Sequence, residues 1–205
     1  MHPVLASPVE KIAGQLAPVT LAEAQASPNP VVLAWSAQQV VEHLILAFQH
    51  SSKLLQEALR HRRQAPNSHT VPQWLLKARM CWFGSMPRGI TALHALRPKG
   101  IVPQDGPALA TRLRAEAEAL DHILVECRKT FGLLPCAVHP IYGSLRVEEW
   151  RQYHAVHCHH HLPQVREAIA YSRSHADLLR WPVPVAVSED EEVEFAGRLA
   201  TAGRS

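Results

Sequence analysis

One stretch of the chain decides the fold class: residues 147–172 read VEEWRQYHAVHCHHHLPQVREAIAYS. Glu148 and Glu149 stand in its first turn, where the dipole of a helix favours negative charge. The stretch predicts a long helix. It also carries five of the 14 histidines of the chain, between His154 and His161. That density requires an explanation.

Three further blocks carry apolar residues at helical spacing. The first, at residues 36–63, begins with Ser36 and Gln39 as a capping box. The second covers residues 71–83, and the third runs from Asp105 to a stop at Gly132. Their apolar stripes include Val40, Leu44, Ala47, Leu54, Leu55 and Leu59, then Trp74, Leu75, Ala78 and Trp82, then Leu109, Leu113, Ala117, Leu120, Leu124 and Cys127.

These four blocks predict an all-α protein, an up-down four-helix bundle with one longer crossover, because no segment alternates convincingly as a strand does. The crossover is the Pro- and Gly-rich connection at residues 88–106. A short helix that begins near Pro8, with Ser7 as N-cap, precedes the bundle. We therefore expect an N-terminal helix and linker at 1–30, the bundle at 31–174, and an extended or disordered tail at 175–205.

Composition excludes several classes of function. The net charge is +3 and the basic residues are scattered, which argues against nucleic acid as a partner. No apolar run approaches the roughly 20 residues of a membrane span. The N-terminus, with an early Glu10, does not resemble a secretory signal. The four cysteines form no CxxC pair, so we expect reduced thiols and a cytoplasmic protein.

The spacing of the histidines on the last helix predicts a metal site. His157 and His161 are four residues apart, so their imidazoles lie one above the other and can converge on one ion. His154 lies on the same broad face, one turn earlier. His43 is the best third ligand from another helix, because it lies on the apolar face of the 36–63 block, where a polar side chain needs a partner.

Three other interpretations of these residues stay open at this point. His43 alone is also compatible with a core histidine satisfied by one hydrogen bond. The HAVHCHHH segment is also compatible with a solvated face that chelates metal incidentally, as a purification tag does. A structural zinc site built from Cys136, His139, His154 and His157 has suitable ligands, but its second half lies within a helix rather than at a zinc knuckle.

Two segments resemble the DinB-like (YfiT-like) superfamily of metal-dependent proteins, and more narrowly an uncharacterised-domain branch of it. WSAQQVVEHLI at residues 35–45 looks like the first bundle helix of that superfamily. HPIYGSLRVEEWRQYHAVHCHHHLPQ at residues 139–164 is similar to the branch's HP-x-x-G-x-L-x-x-x-E-W lead-in and H-x-x-H-x-x-H-H block. The likeness covers about residues 8 to 171.

The resemblance implies a four-helix bundle, often dimeric, with a three-histidine metal site. The matching positions here are His43, His157 and His161. The ion in such relatives is zinc, nickel or iron, and some relatives are transferases or isomerases in which the metal activates a low-molecular-weight thiol. One departure is Pro163, which should kink the helix beside the site because proline lacks the backbone donor and clashes with the carbonyl of His159.

Three neutral imidazoles leave an ion with an open coordination position, which is typical of catalytic rather than structural metal sites. The first hypothesis is therefore a metal-dependent enzyme of transferase or hydrolase type, with a small-molecule or thiol substrate. His154 or His160 would serve as a proton shuttle, and Glu42 or Tyr153 would orient a ligand histidine. No residue is assigned as catalytic.

The alternative is a non-catalytic helical bundle that binds a metal or dimerises. It is favoured because no second carboxylate, nucleophile or base stands near the histidines in sequence. Cys158 follows His157 directly, but it is offset by ~100° from the ligand face of the helix.

Overall fold

The computed structural model of the chain describes residues 1–28, 34–87, 93–99 and 102–175. The described residues are mostly helical, as predicted, and residues Met1–Ser174 form one compact unit. Their elements in chain order are α1 (Pro3–Leu16), α2 (Leu21–Gln25), α3 (Ala37–His61), α4 (Val71–Phe83), a 3₁₀ turn (His94–Leu96), α5 (Gly106–Phe131), β1 (Ala137–His139), β2 (Gly143–Leu145) and α6 (Val147–Ser174).

The ends of the longer helices follow local sequence signals. Ser36 and Gln39 form the predicted capping box at the start of α3. The Asp105 carboxylate accepts a hydrogen bond from the backbone N–H of Ala108 at the start of α5, and Gly132 ends that helix. These side chains satisfy backbone groups that a helix leaves unpaired at its ends.

The first helix begins earlier than predicted. α1 starts at Pro3, with the His2 side chain accepting a hydrogen bond from Val4, and Pro8 lies inside the helix. A proline removes one helical hydrogen bond. Here its ring is buried along the apolar stripe of α1, so packing offsets the missing bond. The stripe consists of Leu5, Pro8, Val9, Ile12, Ala13 and Leu16.

Four long helices pack around the core. α5 packs against α1 and α3, and α6 packs against the same two helices. The sequence pattern had set α1 apart from the bundle as a short leading helix. In the structure its apolar stripe is fully buried against α5 and α6.

A buried ion pair ties the start of the chain to two of these helices. Asp121 of α5 accepts from the Arg151 guanidinium at 2.9 Å and from the backbone N–H of His2 at 2.7 Å. Asp121 and Arg151 are both buried. A buried charge needs such partners to offset its lost hydration.

The fourth helix exposes its apolar stripe. Trp74 and Trp82 share one face, as predicted, with ring centroids 6.2 Å apart. That face points outward, since the two side chains are 52% and 71% exposed. The opposite face of α4, which includes Met80, packs towards α6 and β2. The apolar periodicity identified this face of α4 but did not determine whether the face contacts the core.

The segment before α6 forms a β-hairpin, although no segment of the sequence alternates convincingly as a strand does. β1 and β2 are antiparallel, with His139 opposite Gly143. Gly143 has a φ of 70°, which L side chains rarely adopt. Strands of three residues are too short to show the alternation by which a sequence reveals a strand.

Parts of the predicted segments lie outside the described residues. These are residues 29–33, at the predicted boundary between the linker and the bundle, residues 88–92 and 100–101 of the predicted crossover, and all of the predicted tail beyond His175. Within the described part of the chain, no helix has both the length and the apolar character needed to cross a membrane.

Candidate metal centre

The fold brings the three predicted histidines together. His43 comes from the second turn of α3, and His157 and His161 come from successive turns of α6. The Nε2 atom of His157 lies 3.1 Å from that of His43 and 3.0 Å from that of His161. All three side chains are buried. They form the one group of potential metal ligands found among the described residues, with ligand atoms within 4.8 Å of one another.

Hydrogen bonds to Nδ1 set the orientation of two of the rings. Nδ1 of His43 lies 2.8 Å from the Leu96 carbonyl oxygen, at the end of the 3₁₀ turn. Nδ1 of His161 lies 2.6 Å from Oε1 of Gln164. An oxygen acceptor at Nδ1 requires the ring proton there, which leaves a lone pair on Nε2. Both lone pairs face the third imidazole.

His157 cannot satisfy both of these lone pairs by hydrogen bonding. A neutral imidazole carries one ring proton, and its single N–H direction cannot serve two acceptors well. Nδ1 of His157 is also buried and has no hydrogen-bond partner within the described residues. The ring proton of His157 can therefore lie on Nδ1, and in that tautomer its Nε2 atom is a third lone pair facing the other two. The centre is therefore a convergence of nitrogen lone pairs, which a cation would satisfy.

The electrostatic environment keeps these imidazoles neutral. Burial lowers the pKa of His43, and it lowers the pKa of His157 well below its ordinary value, with a further contribution from the neighbouring histidines. Burial also lowers the pKa of His161 to about 4, although its hydrogen bond to Gln164 acts in the opposite direction. Neutral imidazole is the form that binds a metal ion.

The three histidines line one wall of a cavity of about 560 Å³. Aromatic side chains form much of the remaining wall, including Trp35, Tyr142, Trp150 and Tyr153. The Tyr153 ring stacks on His157, with centroids 5.6 Å apart and planes at 25°. A cavity of this size matches a small organic molecule.

The other residues predicted for the site lie in different environments. His160 is half-buried on the cavity wall beside His161, whereas His154 is buried and hydrogen-bonded to Oγ of Ser51 at 3.0 Å. Glu42 accepts a hydrogen bond from Gln38. The Nδ1 partners of the ligand histidines are instead Leu96 and Gln164, which the sequence analysis did not identify.

The alternative zinc site is not assembled among the described residues. Cys136 is buried with its Sγ 3.5 Å from the Leu145 carbonyl oxygen, and His154 is bonded to Ser51. Nδ1 of His139 accepts from two backbone N–H groups. Cys158 is fully buried, and burial raises its thiol pKa to about 12. A fully buried thiol with a raised pKa is not expected to act as a nucleophile.

Pro163 does not interrupt the helix that carries the ligand pair. α6 continues from Val147 to Ser174 through this proline. His157 and His161 precede it by six and two residues, and their Nε2 atoms lie 3.0 Å apart. His159, on the same helix, is exposed and points away from the centre.

Comparisons with known proteins give one match. Neither the comparison with curated proteins nor that with solved structures yields a match. Residues 18–168 match the family model described as "Protein of unknown function (DUF1569)". This range contains the three histidines, the hairpin and most of α6. The chain therefore belongs to the DUF1569 family.

Proposed function

We propose that this chain is a DinB-like helical protein that binds one divalent metal ion through His43, His157 and His161. The observation that carries the proposal is the convergence of three buried Nε2 atoms, two of them with their Nδ1 protons committed to oxygen acceptors. The mutual packing of α1, α3, α5 and α6 supports the DinB-like bundle.

The donor set favours zinc, nickel or iron. Imidazole nitrogens suit these ions, whereas calcium and magnesium prefer oxygen ligands. Leu96 and Gln164 would hold the His43 and His161 rings in the orientation that coordination requires, as outer partners of metal-binding histidines commonly do. The stacked ring of Tyr153 would restrict the rotation of His157.

We further propose that the site is enzymatic, of thiol-dependent transferase or hydrolase type. An ion held by three neutral histidines would act as a Lewis acid and lower the pKa of a water or thiol ligand. The chain supplies a buried centre that opens onto a cavity of about 560 Å³ with aromatic walls. These walls would hold an apolar substrate and exclude water from the centre.

The second candidate is a non-catalytic metal-binding or dimerising bundle. One observation favours it: among the described residues that line the cavity, Glu167 is the one carboxylate, and it is exposed. A fixed carboxylate base near the histidines is therefore not available from these residues. Metal-dependent stabilisation without turnover of small thiols, measured by thermal melting and by product assays with zinc and nickel, would favour this candidate.

Elemental analysis of untagged protein tests the metal site. We expect the wild type to carry one ion per chain, and His43→Ala and His157→Ala to lose it. His159→Ala is the matched control, because His159 is exposed on the same helix, and it should retain the ion. Retention of stoichiometric metal by His43→Ala would contradict the proposed centre and indicate chelation by the α6 surface.

A further inference from the structure

A fourth histidine in the same cavity has a fixed tautomer. Nδ1 of His139, at the end of β1, accepts hydrogen bonds from the backbone N–H groups of Ile141 at 3.1 Å and Tyr142 at 3.3 Å. A nitrogen that accepts from two donors has no proton of its own. The ring proton of neutral His139 therefore lies on Nε2.

The surroundings of His139 hold it in this neutral state. The side chain is 7% exposed, and its ring contacts the rings of Tyr142, Trp150 and Tyr153, at a centroid distance of 4.4 Å for Tyr153. A proton added at Nδ1 would face two N–H donors. Burial also lowers the pKa of His139 to about 3. The Nε2–H group is thus a neutral hydrogen-bond donor across the physiological pH range.

His139 lines the cavity, and its Nε2–H has no hydrogen bond to an acceptor among the described residues. Nε2 of His139 is not one of the side-chain nitrogens that are both fully buried and unpartnered. The backbone donors satisfy Nδ1, and Nε2–H stays available on the cavity side to an acceptor oxygen of a bound molecule.

The metal centre lies within reach of the same molecule. The Tyr153 ring contacts both imidazoles, with centroid distances of 4.4 Å to His139 and 5.6 Å to His157. The ring centroids of His139 and His157 are therefore no farther apart than the sum of these two distances. One small ligand can meet both within a single cavity.

The remaining wall indicates the character of that ligand. Leu54, Ile141 and Trp35 are apolar, and no Lys or Arg is present among the described residues of the lining. A polyphosphate or another multiply charged anion would therefore have no charge partner on these walls apart from the ion. The wall suits a neutral or singly charged molecule with an aromatic or aliphatic body.

We propose that His139 is a ligand-binding residue whose Nε2–H donates to a carbonyl or carboxylate oxygen of a small, largely apolar molecule, the other end of which reaches the three-histidine centre. This inference rests on the proposed function, because the ion anchors the second end of the ligand.

Two substitutions separate ligand binding from the structural role of His139 in the turn. His139→Asn places an amide oxygen near the position of Nδ1, so it retains the acceptor of the turn and removes the donor at Nε2. His139→Gln places an amide N–H near the position of Nε2, so it retains the donor. Zinc content and thermal melting of both variants report on the metal centre and the fold independently.

The probes are two molecules of matched shape, 4-acetylbenzoate and 4-isopropylbenzoate, titrated calorimetrically into zinc-loaded protein. Their carboxylates can reach the ion, and only the acetyl group offers an acceptor oxygen at the other end. The corresponding 3-substituted benzoates change the distance between the carboxylate and the second group. We expect His139→Asn to weaken an acetyl probe about five-fold and to change its isopropyl partner less than two-fold. His139→Gln should bind both as the wild type does.

A second readout uses ¹⁵N spectra of the wild-type histidines. We expect the His139 proton on Nε2, and a shift of this nitrogen on adding the acetyl probe but not the isopropyl probe. A proton on Nδ1, equal acetyl affinity in His139→Asn and wild type, or failure of all four probes to bind would overturn the inference. Absence of any bound divalent metal from the wild type would instead refute the proposed function, and the elemental analysis detects it separately.

Discussion

His43 and His157 are separated by 114 residues, yet their Nε2 atoms lie 3.1 Å apart in the core of the protein. Two buried imidazole nitrogens at this distance repel each other unless a proton or a cation lies between them. Because His161 adds a third nitrogen 3.0 Å from His157, a single ring proton cannot satisfy the cluster. This relationship underlies the metal-binding proposal.

The outer partner of His161 should affect metal affinity. In Gln164→Leu the Nδ1 proton of His161 loses its acceptor, so the ring is no longer held in the orientation for coordination. We expect the zinc affinity to fall about 10-fold, measured by competition with a chromophoric chelator. Gln56→Leu, at an exposed position on α3, is the control and should leave the affinity unchanged. Equal affinities in the two variants would contradict this role of Gln164.

The pH at which metal is released should distinguish the buried centre from a histidine-rich surface. Protons compete with metal only when the pH approaches the pKa of the ligands, and burial lowers that of His161 from 6.5 to about 4. We expect wild-type protein to retain most of its zinc down to about pH 5, measured by dialysis and elemental analysis. Any zinc that an exposed histidine-rich surface holds in His157→Ala should leave near the ordinary imidazole pKa of about 6.5. Release of wild-type zinc near that same pH would argue for surface chelation.

Asp121→Asn should destabilise the protein by about 3 kcal/mol, because it leaves the Arg151 guanidinium buried without its carboxylate. Urea unfolding at pH 7 measures this difference. Glu10→Gln removes the exposed ion pair with Arg114 and serves as the control, with an expected change within about 1 kcal/mol. Similar losses in the two variants would show that burial does not strengthen the Asp121 pair.

The contribution of Asp121 should also depend on pH. Burial acts to raise its pKa, but the hydrogen bonds from Arg151 and from the His2 backbone outweigh burial and hold the pKa below the ordinary 3.8. The stabilisation is therefore fully present above that ordinary value and is lost as the pH falls through the lower, folded-state pKa. The difference between wild type and Asp121→Asn should shrink when unfolding is measured below about pH 4. A difference that stays constant there would exclude this linkage.

The hairpin that presents His139 should depend on Gly143. A Cβ at this position would lie 2.7 Å from Cδ2 of His69, in a backbone conformation with φ of 70°. We expect Gly143→Ala to lower the free energy of unfolding by about 2 kcal/mol. Gly84 also has a positive φ, but a Cβ there meets nothing within 4 Å, so Gly84→Ala isolates the backbone strain at about 1 kcal/mol. If the two losses are equal, the contact with His69 contributes nothing.

The sequence by itself determined the features that depend on residues close together in the chain. The capping pair Ser36 and Gln39, the stop at Gly132 and the convergence of His157 with His161 all arise within one or two helical turns. Backbone hydrogen bonding and helical spacing specify such contacts locally. His43 was predictable as a candidate ligand because a polar residue on an apolar stripe needs a partner and because the resemblance of residues 35–45 indicated it.

Only the tertiary structure decided the features that join distant segments. The acceptor of His43 is a backbone carbonyl, at Leu96, which leaves no signature in side-chain identity. The exposed face of α4 depends on which side meets α6, and periodicity is the same for either choice. The orientation of Nε2 of His139 follows from a turn between strands too short to predict. Local spacing thus specified the pair of His157 and His161 and the Gln164 partner of His161, whereas tertiary packing brought His43 and its Leu96 partner to that pair and formed the cavity.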